Sequence, residues 1–332
     1  MTIVADDTFQ PPWWLRGGHR QSILVGLPIR RNAIERRTIA MRASAREWLI
    51  DCGDGVVLQA WHSSPGARGR GTTGKVAVLM HGWEGSADSL YLLSAAQSLF
   101  EAGFDVVRLN FRDHGATHHL NAELFHSCRL QEVIGAVRAI QAEMPHKALY
   151  MVGFSLGGNF ALRVAAAADA ARLAVAGTFA VSPLLDPKRT LRKLEEGSSI
   201  YHKYFVLKWG RSLLKKQEAW PDRYQFRPVL RSRNLFKMTD ELVRQFTEYP
   251  DVDSYFAGYA LTGDRLASLA TPATILTARD DPIISALDLD NLAYSGTLRV
   301  RVTDSGGHCG YLTNLTGPSW VDRILLEEFA QT

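Results

Sequence analysis

Gly153-Phe154-Ser155-Leu156-Gly157-Gly158 sets a serine between an apolar run, Ala148 to Gly153, and a small-residue helical stretch, Leu156 to Ala168. A G-x-S-x-G sequence is a weak signal alone and a strong one in that strand-to-helix context. The turn has to be sharp, so Ser155 takes strained backbone geometry with its hydroxyl exposed, and side-chain-free Gly153 and Gly157 let the adjacent backbones pass closely. The helix that begins there points its first amides toward developing negative charge. The chemistry is nucleophilic attack on an acyl carbon. An ordinary glycine-rich turn is the plain alternative, and the strand and helix around the motif weigh against it.

A serine hydroxyl is a poor nucleophile at neutral pH and needs a base, itself held in one tautomer by a carboxylate. His308, in Gly306-Gly307-His308-Cys309-Gly310 just after the last apolar run, is the candidate base. The acid should follow the Thr274 to Thr277 run, where Ala278-Arg279-Asp280-Asp281-Pro282-Ile283 offers two adjacent aspartates, only one of which can face the imidazole. The resulting chain order, serine, aspartate, histidine, is one in which such triads occur. Acyl transfer also passes through an oxyanion that two backbone N–H groups normally hold. Leu156 should give one, and Trp83, in the H-G-x-x-G segment His81-Gly82-Trp83-Glu84-Gly85, the other. His81-Gly82 as a mere tight turn is the competing view.

Other residues that could do chemistry are less persuasive. His114, His118, His119 and His126 match no zinc spacing and lack a nearby cysteine pair, so hydrogen-bonding and shape-determining roles are expected rather than metal binding. Cys52, Cys128 and Cys309 are odd in number and widely spaced, which argues for reduced thiols. The net charge of +4 is unevenly spread. Residues 183–239 carry fourteen Lys and Arg against five Asp and Glu, a local excess of nine. No nucleic-acid reading motif accompanies them, so a solvated helical face is expected and nucleic acid is not.

These residues need a scaffold. Residues 1–45, with Pro11-Pro12-Trp13-Trp14 and many arginines but no clear periodicity, suggest an arm lying across the core. Arg46 to Asp51 and Val56 to Trp61 flank Cys52-Gly53-Asp54-Gly55 and predict a hairpin. From Lys75 onward apolar runs alternate with helical spacing, the mark of a mainly parallel sheet covered on both faces. Strands are expected at Val76–Met80, Asp105–Asn110, Ala148–Gly153, Leu173–Val181, Thr274–Thr277 and Leu298–Val302. Helices are expected at Ser89–Ala102, Leu130–Glu143, Leu156–Ala168 and Trp320–Phe329. No run reaches the roughly 18 apolar residues of a membrane span. The first ten residues lack the pattern of a secretory signal, so a soluble, cytoplasmic protein is the expectation.

The motifs resemble the YheT-like branch of the α/β-hydrolase family. The likeness runs through Pro12–Gln21, His81–Ser86, Asn110–Gly115, Gly153–Asn159, Phe256–Leu266, Asp280–Pro282 and Gly306–Tyr311, with Gly-Phe-Ser-Leu-Gly-Gly-Asn the most specific. The chain departs from it at Asp113-His114, where many relatives have glycine and small residues, and at His126-Ser127-Cys128, where His-Ser-Gly is frequent. The resemblance implies an α/β fold built on an eight-stranded, mostly parallel sheet with helices on both faces. A first core part is then residues 46–182, a helical lid 183–271 and a second core part 272–332. In related enzymes the acidic turn reads Gly-x-x-Asp, which favours Asp281 over Asp280. The implied activity is hydrolysis of a small ester or lipid-like substrate, without cofactor or metal and with at most peripheral membrane contact. An acyltransferase using the same triad, and a non-catalytic ligand-binding homologue, are the alternatives; composition does not specify an oligomeric state.

Overall fold

The computed structural model describes residues 2–69, 71–293 and 295–330. Among the described residues, mostly apolar and β-branched runs form nine strands: β1 (Thr2–Ala5), β2 (Arg46–Asp51, more polar), β3 (Val57–Ser63), β4 (Lys75–Met80), β5 (Asp105–Leu109), β6 (Ala148–Phe154), β7 (Val175–Val181), β8 (Ala273–Ala278) and β9 (Leu298–Thr303). They pair in the order β1-β9-β8-β7-β6-β4-β5-β3-β2. Only β3 runs against its neighbours, joined to β2 by the Cys52–Gly55 turn. The sheet is therefore mostly parallel, and it has nine strands rather than eight. The extra one lies inside the arm, where Thr2–Ala5 adds to the β9 edge in parallel register and Asp6 continues the pairing by accepting Arg301.

Thirteen α-helices accompany the strands among the described residues. The arm supplies α1 (Gly18–Leu24), α2 (Pro28–Arg37) and α3 (Ile39–Ala43). The core supplies α4 (Leu90–Glu101), α5 (Leu130–Glu143), α6 (Leu156–Ala166), α7 (Ala168–Ala171) and, at the end of the chain, α13 (Trp320–Ala330). Between β7 and β8 run α8 (Pro187–Glu196), α9 (Ser199–Ala219), α10 (Arg227–Leu230), α11 (Leu235–Phe246) and α12 (Val252–Tyr259).

Burial of both sheet faces explains the near-continuous apolar strands. One face carries α5 and α6, with Val133, Val137, Phe160 and Leu162 packed on Val78, Met151 and Ile275. The other carries α4 and α13, with Leu92, Leu99, Val321 and Leu325 on Ala77, Val152 and Leu276, and with Ile34 and Met41 of the arm joining that layer. The insertion helices close over the first layer through Leu191, Leu194, Tyr201 and Val243. Parallel pairing brings the C-terminal ends of β4, β6, β8 and β9 to one edge, and the loops leaving those strands carry the candidate residues.

Candidate active site

Ser155 joins β6 to α6 with φ 53° and ψ −117°, a region that L side chains rarely adopt. Its amide donates to Val181 O at 2.9 Å and its carbonyl accepts Asn159 N at 3.1 Å, so the strained turn is held from both sides. The glycines have no alternative. A methyl group on Gly153 would overlap the Gly157 backbone, and one on Gly157 would overlap the Met80 and His81 carbonyls.

His308 sits in the loop after β9, where Gly307, Cys309 and Tyr311 take φ of 58°, 59° and 48°. The ring's Nδ1 lies 2.9 Å from Asp281 Oδ2. Asp281, with its side chain fully buried, accepts Ile283 N at 2.8 Å and Ile284 N at 3.0 Å on its other oxygen. Those two amides fix the carboxylate in the turn after β8. Asp280 faces elsewhere: its oxygens accept Gly307 N at 2.8 Å and Ser305 Oγ at 3.0 Å, so it ties down the loop that carries the histidine. Burial disfavours charge on the His308 ring, but the adjoining Cys309 sulfur and Asp281 carboxylate favour it, and the balance lies well above the ordinary imidazole value.

Ser155 and His308 open onto one cleft, with Gly82, Trp83, Tyr91 and Tyr201 among its walls. Trp83 lines this cleft, and Leu156 directly follows Ser155. Among the described residues, the Trp83 and Leu156 amides have no hydrogen-bond acceptor. The loop bearing Trp83 is clamped on every side: Gly82 N donates to Tyr91 Oη at 2.9 Å, Glu84 N to His114 Nε2 at 3.2 Å, and Ala87 N to Asn110 Oδ1 at 2.7 Å. Preorganised donors of this kind are what an oxyanion requires.

Residues 77–316 match the Alpha/beta hydrolase family, well over half of the chain. The protein belongs to that family, on its YheT-like branch. This hydrolase is 25% identical to YheT of Escherichia coli (strain K12) over 254 residues, 74% of this chain and 73% of that one. It is 23% identical to the monoacylglycerol lipase of Saccharomyces cerevisiae over 259 residues, 73% of this chain but only 56% of the yeast protein's length. Among solved structures, the Pyrococcus furiosus esterase Pf2001 superposes with a TM-score of 0.57, covering 86% of this chain and 92% of that one at 16% identity, a likeness of fold.

Three other histidines of the hydrolase, His81, His114 and His118, hydrogen-bond within the fold. His81 Nδ1 faces Gly82 O at 2.7 Å while its Nε2 accepts Phe111 N at 3.3 Å. His114 Nδ1 faces Arg112 O at 2.7 Å. Each ring thus donates from one nitrogen and accepts on the other, a neutral state, and burial lowers His81 well below the usual value and His114 to about 4. His118 Nε2 pairs with Ser212 Oγ at 2.9 Å, and burial takes that ring to about 4 as well. The departure at Asp113-His114 is explained by this network: His114 props the Trp83 loop, and Asp113 accepts both Lys216 Nζ and Phe125 N, each at 2.7 Å.

The basic segment is only partly a solvated face. Lys203, Arg211 and Lys215 are exposed. Three other lysines turn inward onto the loops of the site. Lys193 Nζ donates to Asp281 O at 2.7 Å and Ile284 O at 3.1 Å, Lys208 Nζ to Glu84 O at 3.1 Å, and Lys216, at 0% exposure, to Asn121 O at 2.6 Å and Glu123 O at 3.0 Å. Sequence alone missed these lysines because only the packed insertion reveals which cations face in. It also missed Asn159, whose Nδ2 anchors both ends of the insertion through Leu184 O and Tyr259 O, each at 2.8 Å; its place in the Gly-Phe-Ser-Leu-Gly-Gly-Asn run was the available signal. Among the described residues, no helix is long and apolar enough to cross a membrane.

Proposed function

We propose that this protein hydrolyses carboxylic esters through a Ser155–His308–Asp281 triad and an acyl-enzyme. The observation that carries the reading is the hydrogen bond from His308 Nδ1 to Asp281, on the wall of the cleft that the strained Ser155 also faces. With its Nδ1 proton directed at the carboxylate, the ring keeps an Nε2 lone pair for the serine proton. Ser155 Oγ attacks the acyl carbon, His308 takes the proton, and the carbonyl oxygen becomes an oxyanion held by the Trp83 and Leu156 amides. The C–O bond to the alcohol then breaks as His308 returns the proton to the leaving oxygen. Water, deprotonated by the same ring, attacks the acyl-enzyme and releases the acid and Ser155. No cofactor enters these steps.

An acyl chain has a place to go. A second cavity lies under α8, α11 and α12, and both oxyanion residues line it. Its walls include Leu191, Leu194, Leu242, Val243, Phe246 and Phe256, so it suits a hydrocarbon chain. On this reading the insertion acts as the lid over that chain. The test is a panel of p-nitrophenyl acyl esters of increasing length, with Leu242→Trp to fill the second cavity and Ser155→Ala as control. Short esters should be cleaved equally by wild type and Leu242→Trp, and long ones should be lost in the variant. Turnover that persists in Ser155→Ala, or a length profile unmoved by Leu242→Trp, contradicts the assignment.

A further inference from the structure

The arm lies outside residues 77–316, the part that matches the family, yet α1 is wedged against the turns that carry the acid and the base. Ser22 Oγ accepts the His308 amide proton at 2.7 Å and donates to Gly18 O at 2.7 Å. Gln21, fully buried, accepts Leu312 N at 2.6 Å and donates to Leu312 O at 3.1 Å and Leu15 O at 3.0 Å, clasping the end of the histidine loop to the arm. The packing leaves no room for a methyl group. A Cβ on Gly18 would overlap the Asp280 backbone, one on Gly307 would overlap Gly18 O, and one on Gly310 would meet the Gln21 backbone. The arm also reaches the insertion: Tyr201 of α9 bonds His19 Nδ1 at 3.0 Å, and the His19 and Tyr201 rings stack at 5.6 Å. Ser22, Ile23 and Leu27 line the cleft itself.

We infer that the arm is a working part of the site, and that Ser22 is a positioning residue that sets His308 through its backbone amide. The inference rests on the hydrolase reading above. Five left-handed or glycine positions, Gly306, Gly307, Cys309, Gly310 and Tyr311, leave the histidine loop with little rigidity of its own, so its place over Ser155 is set by what it touches. On one side that is Asp280, on the other Ser22 and Gln21. Loss of the Ser22 acceptor orphans the His308 amide and frees the loop, which moves the imidazole relative to both Asp281 and Ser155.

The test uses the full chain with p-nitrophenyl butyrate and a fluorophosphonate, comparing wild type, Ser22→Ala, Ser22→Thr and Gly18→Ala. Misplacement of a catalytic group by about an ångström costs on the order of tenfold to a hundredfold. Ser22→Ala and Gly18→Ala should lose that much in kcat and in the fluorophosphonate inactivation rate, with KM changed less than about twofold. The acid limb of kcat/KM should move down in both, because the imidazole loses part of its hold on Asp281. Ser22→Thr keeps the oxygen and should restore rate and pH profile. Unchanged rates and pH profile in Ser22→Ala, or failure of Ser22→Thr to restore them, overturns the inference. Activity lost in both damaging variants only in step with the folded fraction, by thermal unfolding, overturns it too, since a structural strap behaves that way. If wild type itself neither hydrolyses the ester nor reacts with the probe, the fault lies in the hydrolase reading.

Discussion

Replacing Asp281 by Asn exchanges an oxygen for an NH₂ group of the same size. Asp281 Oδ1 accepts two amides, from Ile283 and Ile284, so the oxygen of the new amide stays there and the NH₂ is turned toward His308. A donor now faces Nδ1, and the ring responds by carrying its proton on Nε2, where it can no longer accept from Ser155. Loss of the correct tautomer costs about 10⁴ in turnover, equivalent to about 5 kcal/mol of transition-state stabilisation. The fold should hardly notice, because both backbone donors keep their acceptor. Asp280→Asn behaves differently. Its oxygens hold Gly307 N and Ser305 Oγ, and the hydroxyl can reverse its role, so the change costs about 1 kcal/mol of stability and at most about tenfold in kcat/KM. Steady-state kinetics on a short ester beside denaturant unfolding separates the two. A folded, inactive Asp280→Asn with an active Asp281→Asn would refute the reasoning.

Further outcomes follow from the same geometry. Because His308 titrates above the ordinary imidazole value of 6.5, kcat/KM should fall as pH drops through a midpoint above 6.5, and Asp281→Asn should lower that midpoint; a wild-type midpoint below 6.5 contradicts it. Gly157→Ala should abolish turnover or folding, since its methyl group has only the Met80 and His81 carbonyls to meet, and a fully active variant would show that the turn is looser than it looks. Lys216→Met leaves the buried Asp113 carboxylate without its cation and should cost about 3–5 kcal/mol in denaturant unfolding. Adding Asp113→Asn should recover part of that loss, and no recovery would mean that the carbonyls, not the ion pair, hold the lysine.

Much of this molecule could be read from its residues alone, and the gaps have physical causes. Most core strands are apolar runs buried on both faces, and the mostly exposed β2 was marked instead by the Cys52–Gly55 turn that pairs it with β3, so all eight from Arg46 onward were legible to within a residue or two. β1 was not: Thr2–Ala5 is four residues long and takes its strand conformation from β9 at the other end of the chain. The arm helices are short and rich in arginine, so their periodicity is faint, and nothing local marks Ser22 as a neighbour of His308. Ser155 and its glycines were legible because a sharp turn constrains adjacent residues in sequence. The two aspartates are adjacent as well, but which of them faces the imidazole depends on the Ile283 and Ile284 amides, a tertiary detail that only the folded turn contains.

The central claim, that Ser155 is a nucleophile activated by His308, is tested most directly by intact and peptide mass spectrometry after exposure to a fluorophosphonate. The account predicts one adduct on the Ser155 peptide of wild type, none on Ser155→Ala, and strongly slowed labelling of a folded His308→Ala. Labelling that persists in Ser155→Ala, or that ignores the loss of His308, would contradict it.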